Sequence, residues 1–284
     1  MKILLTGGSG QLGYELQRSL QGLGEVVAPG RAQMDLADLA QVRAVIRAVR
    51  PGLVVNAAAY TAVDQAETEP AVARRINAEA PAVMADEARK LGAAMVQYST
   101  DYVFDGNKQG AYLESDVANP VNVYGVTKLE AEQAVAAAGI PHLILRTSWM
   151  YGMRGKNFLR TMLEFGQERD VLRVVCDQHG APTWSRTVAD TTALLLAHVH
   201  AGGSAGWDAH GGIYHLSSQG EASWCEFTQA IVDIAGLECR VTPITAAEYG
   251  APARRPRNSR LDTGKLGAIC RLPHWREALA LCMT

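Results

Sequence analysis

Along the first half of the chain, short apolar runs alternate with longer stretches whose apolar residues recur every three or four positions. The runs Ile3-Leu4-Leu5, Val26-Val27-Ala28, Leu53-Val54-Val55, Met95-Val96-Gln97-Tyr98 and Leu143-Ile144-Leu145 predict strands. Between them, Gln11 to Gly22, Leu39 to Arg50, Ala71 to Leu91 and Val123 to Ala138 predict helices. Continuous apolar strands that alternate with helices imply a parallel sheet covered on both faces. Gly24, Gly92 and Gly139 each follow a predicted helix where a left-handed cap would end it, and Pro141 follows the last of them.

Beyond Arg146 the pattern loosens, and aromatics, glycines and arginines become denser. Val188 to Val199 still predicts a helix, Ile213-Tyr214-His215-Leu216 a strand that rejoins the sheet, and Trp224 to Ile234 a further helix. The glycine-rich stretch Gly202 to Gly212 predicts a loop. Nothing repeats at a solenoid period, and only the helix tail Ala134 to Ala138 is low in complexity. The expected fold is therefore α/β: a doubly wound parallel sheet over residues 1–147, rejoined by 184–218. A smaller C-terminal lobe is drawn from residues 148–183 and 219–284.

A chain of 284 residues with 48% apolar content can bury a sizeable core, which excludes a disordered chain. The 27 basic and 29 acidic residues leave a formal charge of -2, so no field draws the chain onto nucleic acid or an anionic membrane. Five cysteines (Cys176, Cys225, Cys239, Cys270 and Cys282) form no CxxC pair, which argues against a zinc site or a disulfide framework. Reduced, packed thiols and a cytoplasmic setting are expected. The apolar start Met1 to Thr6 is too short for a signal peptide or a membrane span.

The first predicted strand runs straight into Thr6-Gly7-Gly8-Ser9-Gly10-Gln11-Leu12-Gly13 and then a helix. The spacing satisfies G-x-G-x-x-G at Gly8, Gly10 and Gly13, and also places glycines at 7, 10 and 13. Such a loop lets a pyrophosphate approach the backbone at a helix N-terminus, whose free N–H groups favour an anion. In this strand–loop–helix context the motif indicates dinucleotide binding in a Rossmann-type fold. The second strand ends Ala28-Pro29-Gly30-Arg31, with no carboxylate before Asp35. An arginine there suits the 2′-phosphate of NADPH, although NADH stays open.

A second constellation lies downstream. The strand from Met95 ends in Ser99-Thr100-Asp101, at the carboxyl edge where α/β sheets bind ligands. Tyr124 and Lys128, four apart, share one face of the following helix. An ammonium beside a phenol is expected to favour the phenolate and ease proton transfer, and Lys128 could also hold ribose hydroxyls. A hydroxyl from Thr100 could polarise a carbonyl under hydride attack. A Tyr and a Lys four apart mean little alone; the glycine loop and the Ser-Thr strand end give the pair its weight.

The order of glycine loop, Asn56-Ala57-Ala58-Ala59, Ser99-Thr100 and Tyr124-x-x-x-Lys128 resembles the extended short-chain dehydrogenase/reductases. Further motifs run in order along the chain to about Leu272: Tyr60-Thr61-Ala62-Val63-Asp64, Asp101-Tyr102-Val103-Phe104-Asp105-Gly106 and Pro120-Val121-Asn122. They continue as Arg146-Thr147-Ser148-Trp149-Met150-Tyr151-Gly152, Asp177-Gln178-His179-Gly180-Ala181-Pro182-Thr183 and Arg255-Pro256-Arg257-Asn258-Ser259. This set is similar to that of the branch which reduces the C4 keto group of dTDP-4-dehydro-β-L-rhamnose with NADPH. The resemblance implies Tyr124 as proton donor, Lys128 as its partner, Thr100 on the carbonyl, and Asp101 in the substrate site. It places Gly7, Gly10, Gln11, Leu12 and Gly13 around the pyrophosphate, and Asp35 and Leu36 near the adenine. Ala58, Ala59, Tyr60, Thr61 and Tyr98 would flank the cofactor, and Trp149 would cover the sugar. From composition alone, Trp149 reads equally well as a core aromatic between lobes. The Arg255 to Ser259 segment could meet the substrate diphosphate or line a solvated turn.

Some members of the family are described as metal-assisted dimers that use acids from both halves of the chain. Glu15 is compatible with that role, but Arg186 in Trp184-Ser185-Arg186-Thr187 places a cation where the metal contact would lie. Metal binding and a homodimer thus stay open. Two other readings share the fold. A regulatory subunit has no need for an intact Thr100, Tyr124 and Lys128, and all three are present. A nucleotide-sugar dehydratase generally carries Asp-Glu after the catalytic Ser/Thr, whereas here Thr100 precedes Asp101-Tyr102; epimerisation is not excluded this way.

Overall fold

A computed structural model describes residues 1–284. The first half winds as β1 (Lys2–Thr6), α1 (Gln11–Ser19), β2 (Glu25–Val27), α2 (Leu39–Val49) and β3 (Leu53–Asn56). A short α3 (Val63–Ala66) follows, then α4 (Pro70–Arg74) and α5 (Ala80–Leu91), joined without a break by a π-helical turn at Arg75–Glu79. β4 (Ala94–Thr100), α6 (Val123–Ala137) and β5 (His142–Thr147) complete it. The chain then leaves the sheet through β6 (Met150–Tyr151), α7 (Phe158–Glu168), β7 (Val171–Val175), β8 (His179–Gly180) and β9 (Thr183–Trp184). It returns as α8 (Ser185–Ala201), α9 (Gly203–His210) and β10 (Gly212–His215). β11 (Ala222–Ser223), α10 (Trp224–Ala235), β12 (Arg240–Ile244), α11 (Ala246–Tyr249), α12 (Gly264–Gly267) and α13 (Trp275–Met283) finish the chain.

Six strands form one parallel sheet in the order β10-β5-β4-β3-β1-β2. The chain moves outward from β1 to β2 and then crosses to the other side of β1 as β3. The loops after β1 and β3 therefore diverge and open a crevice at the carboxyl edge of the sheet. The two-residue period of the strands sorts the core into two layers. Ile3, Leu5, Val55, Val96 and Leu145 face α1 and α8, while Leu4, Val54, Met95 and Ile144 face α2, α5 and α6. A third cluster, around Tyr151, Leu159, Phe227, Trp275 and Leu279, belongs to the later segments. Leu266 and Leu272 reach back to the first layer. No helix is long and apolar enough to cross a membrane.

The structure corrects two expectations. Gly202–Gly212 is not a loop, because Gly203–His210 is helical and a Cβ on Gly206 would lie 2.1 Å from the carbonyl oxygen of Val199. Its glycines serve a close helix–helix approach. Gly92 and Gly139 do take positive φ as expected, but Gly24 does not. A Cβ on Gly24 would lie 2.2 Å from the Met1 carbonyl oxygen, so its glycine admits the neighbouring strand instead of capping a helix.

Candidate active site

The carboxyl edge opens into a cleft of about 840 Å³. Gly7, Gly10, Gln11, Leu12, Arg31, Asp35, Leu36, Ala58, Ala59, Tyr60, Thr61, Tyr98, Thr100, Asp101, Tyr124, Lys128 and Trp149 all line it. Gly13 does not. A Cβ there would lie 2.0 Å from the carbonyl oxygen of Gly7, so Gly13 is what lets α1 start against the loop. Gly7 has φ +69°, and its Cα faces the backbone of Ala58. Gly10 caps α1 without a side-chain hydrogen bond, which leaves the first-turn N–H groups facing the cleft. Gln11 donates to the Met150 carbonyl at 3.3 Å, and its own side-chain oxygen is buried without a partner. These features fit a dinucleotide pyrophosphate.

At the far rim, the Arg31 side chain is 82% exposed and lies 3.7 Å from the Asp35 carboxylate. A guanidinium this exposed is free to turn toward a 2′-phosphate. On the opposite wall, Asn77 in the π-helical turn holds the Tyr60 backbone. Its side-chain oxygen accepts from Tyr60 N at 2.8 Å, and its Nδ2 donates to Tyr60 O at 3.0 Å. The extra residue of a π turn re-aims a side chain in this way. Below the cleft, a buried relay ties three strands together. Thr6 Oγ1 donates to Asn56 Oδ1 (2.6 Å), and Asn56 Nδ2 donates to Gln97 Oε1 (2.8 Å).

Thr100, Asp101, Tyr124 and Lys128 converge near the end of β4. Thr100 Oγ1 donates to Asp101 Oδ1 at 2.9 Å, and Ser148 Oγ donates to Asp101 Oδ2 at 3.1 Å. Burial pushes Asp101 up to about 6 against hydrogen bonds from Ser259, Thr100 and Ser148 that favour its charged form. Tyr124 stands edge-on to Tyr102, with ring centroids 5.9 Å apart. One turn on, Lys128 Nζ donates to the Tyr98 carbonyl at 2.5 Å, while the Tyr98 hydroxyl is engaged with Thr192 Oγ1 at 2.7 Å.

Here the expected electrostatics are reversed. Tyr124 is pushed up to about 12, first by burial and then by the Asp101 charge, with a Thr100 hydrogen bond acting the other way. Lys128 is pulled down to about 8 by burial, opposed by Glu132. The ammonium is held by a backbone carbonyl instead of the phenol, so it does not produce the lowering anticipated from the four-residue spacing. A phenol that keeps its proton at neutral pH is suited to donate it.

Trp149 has φ +44°, a left-handed conformation rare for so bulky a residue. It lines the cleft, yet it also stacks flat on Trp224, with centroids 3.5 Å apart and an interplanar angle of 5°. The two readings of this residue are thus compatible: one face packs between segments while the side chain borders the site. Arg255 is not a free cation, since it pairs with Asp64 at 2.8 Å.

The surroundings of Glu15 do not suit a metal. Its carboxylate lies 3.2 Å from Arg186 and 3.3 Å from Arg18, so two guanidiniums already supply the positive charge. No group of three or more metal-binding side chains gathers anywhere in the protein. Residues to which sequence reasoning gave no role include Asn77, Ser148, and the pair Gly155 and Lys156, which border the cleft beside Gln11. Glu132 was also missed, although it continues the four-residue series of Tyr124 and Lys128.

The model of the RmlD substrate binding domain family matches residues 1–284. The chain belongs to this family. It is 46% identical to a dTDP-4-dehydrorhamnose reductase of Burkholderia thailandensis, with 100% of this chain and 98% of that protein covered. It is 41% identical to the Escherichia coli enzyme of the same name, covering 97% and 95%. Among solved structures, a dTDP-4-dehydrorhamnose reductase of Clostridium acetobutylicum superposes with a TM-score of 0.92 at 37% identity, over 100% of this chain and 98% of that one. A reductase of the same name from Bacillus anthracis, solved in complex with NADP, gives 0.90 at 34% identity, over 99% and 98%. These four relatives are reductases by name, and the protein is an oxidoreductase.

Proposed function

We propose that the protein reduces the C4 keto group of dTDP-4-dehydro-β-L-rhamnose to dTDP-L-rhamnose, using NADPH. The observation that carries this reading is the meeting of Thr100, Tyr124 and Lys128 with the glycine cradle in one cleft. NADPH, when bound, supplies the hydride. The first-turn N–H groups of α1 and Gly7 would hold the pyrophosphate, Asp35 and Leu36 would border the adenine, and Arg31 would meet the 2′-phosphate. Lys128 would hold the ribose hydroxyls. Thr100 would donate to the substrate carbonyl, polarising it, and Tyr124 would pass its phenolic proton to the same oxygen as C4 becomes tetrahedral. In the free protein the single Thr100 hydroxyl proton is given to Asp101; on substrate binding it would turn to the C4 oxygen, while Ser148 continues to donate to the Asp101 carboxylate. Trp149 would cover the apolar face of the deoxysugar.

In the same proposal, residues 1–147 and 184–218 carry the cofactor while 148–183 and 219–284 carry the nucleotide sugar, in a cytoplasmic enzyme. The test is direct. Purified protein receives NADPH and the keto sugar released by a 3,5-epimerase, and the reaction is followed at the nicotinamide absorbance with the product identified by NMR. dTDP-L-rhamnose is the expected product. Oxidation of NADPH only with another keto sugar, or the opposite configuration at C4, overturns the assignment of substrate.

A further inference from the structure

Behind the site, a buried ion pair holds the helix that carries it. Tyr124, Lys128 and Glu132 fall four apart on α6, so they share one face. The Glu132 carboxylate accepts from Arg146 Nε at 2.9 Å and from Arg146 Nη2 at 2.6 Å, and it also accepts from Ser99 Oγ. Ser99 and Arg146 are register partners on β4 and β5, and each immediately precedes a threonine of the cleft, Thr100 and Thr147. Glu132 and Arg146 are both buried, and the guanidinium also rests 5.1 Å from the Phe104 ring centre.

We infer that Glu132 is a positioning residue: through Ser99 and Arg146 it locks the face of α6 bearing Tyr124 and Lys128 to the strand ends bearing Thr100. Its negative charge also faces the Lys128 ammonium one turn away. Burial alone pulls Lys128 down, and Glu132 is the group that opposes it. The other charged or titratable groups around this face are Asp101 and Tyr102 after β4, Arg146 on β5, Tyr124 on α6, His215 on β10, and Glu114, whose carboxylate accepts from His215 N. His215 is driven down to about 4, mainly by burial, and so adds no charge at neutral pH. With Glu132 neutralised, nothing opposes the effect of burial on Lys128.

The inference rests on the reading of Tyr124 and Lys128 as the reacting pair, so Lys128→Met is assayed beside Glu132→Gln. In Glu132→Gln the basic limb of the kcat profile should move down by about one pH unit. At pH 8 the charged fraction of Lys128 then falls from about half to about one-tenth, lowering kcat about fivefold while KM for the sugar stays within about twofold. Glu132→Asp retains the charge, so its basic limb should stay at the wild-type position, while the shorter reach loosens α6 and lowers kcat. A Glu132→Gln protein that melts earlier but keeps its basic limb overturns the inference, because a purely structural prop would behave that way. If Glu132→Gln does not fold, Glu132→Asp decides: an undiminished kcat overturns the positioning role. Near-normal turnover in Lys128→Met would instead remove the reading of the reacting pair itself.

Discussion

Asp101 offers the sharpest test of how the site is held, because its folded environment works against its charge. The carboxyl group is buried and raised from an ordinary 3.8 to about 6. A group whose proton affinity rises on folding favours the native state when protonated, and it loses that contribution as pH climbs between the two values. Below about pH 3.8 the group is protonated in both states and makes no difference. Through pH 4 to 6 the unfolded chain ionises first, which draws the equilibrium toward unfolding. A shift of about two units corresponds to about 3 kcal/mol once both states are ionised. Asp101→Asn removes the titration and keeps the shape. The variant should therefore gain stability over the wild type as pH rises from 4 to 7, reaching on the order of 2–3 kcal/mol, with a plateau above. Denaturant melts of both proteins at several pH values read this difference. Turnover should fall about tenfold or more in the same variant, because an amide accepts at only one of the two atoms that Thr100 and Ser148 address, which displaces the Thr100 hydroxyl. A stability gap that stays constant from pH 4 to 7 would refute the argument, since it would mean the Asp101 carboxyl does not titrate differently on folding.

Tyr124→Phe keeps the ring but removes the proton donor. Cofactor affinity should survive while turnover drops at least about a hundredfold, as single-turnover hydride transfer and NADPH titration on one sample will tell. Arg31→Ala should weaken NADPH about ten- to a hundredfold and leave NADH nearly unchanged, measured by fluorescence titration of both cofactors. Gly13→Ala should destabilise by about 1–3 kcal/mol in thermal and urea melts, despite the roughly 1 kcal/mol by which alanine exceeds glycine in a helix. The Cβ lands 2.0 Å from a backbone oxygen that cannot move without opening the glycine loop.

The layers of the fold were legible because burial imposes a period. Ile3, Leu4 and Leu5 alternate between two helical layers, and their uninterrupted apolar run reports a strand covered on both faces. The glycine loop and the pair Tyr124 and Lys128 were legible because their chemistry demands fixed spacings. What escaped was set by tertiary approach. The glycines from 202 to 212 read as a loop until Val199 is seen to pack against Gly206, and Gly24 reads as a cap until Met1 is seen beside it. Asn77 lies in an ordinary helical pattern, and only the π turn aims its amide at Tyr60. Trp149 gives no local sign of its positive φ, which the flat stack on Trp224 helps to hold.

The electrostatics of Tyr124 and Lys128 were the least legible part, and their correction bears on the proposed proton donor. Spacing alone suggested that Lys128 would draw the proton off Tyr124. The structure instead gives Lys128 a backbone carbonyl, removes water from around Tyr124, and sets Asp101 nearby, so the phenol holds its proton while the ammonium is pulled down to about 8. Two titrating groups four residues apart are thus moved in opposite directions by the same burial, because burial penalises whichever form is charged. A neutral phenol beside a carbonyl accepting hydride can deliver its proton as negative charge gathers on the oxygen, and the developing alkoxide is the stronger base. The reverse reaction would begin from the phenolate, the form this pocket disfavours. In the proposed mechanism Tyr124 thus starts as the neutral donor at neutral pH, a state supported by Asp101 and by the Tyr98 carbonyl that holds Lys128, neither of which the Tyr–Lys spacing reveals.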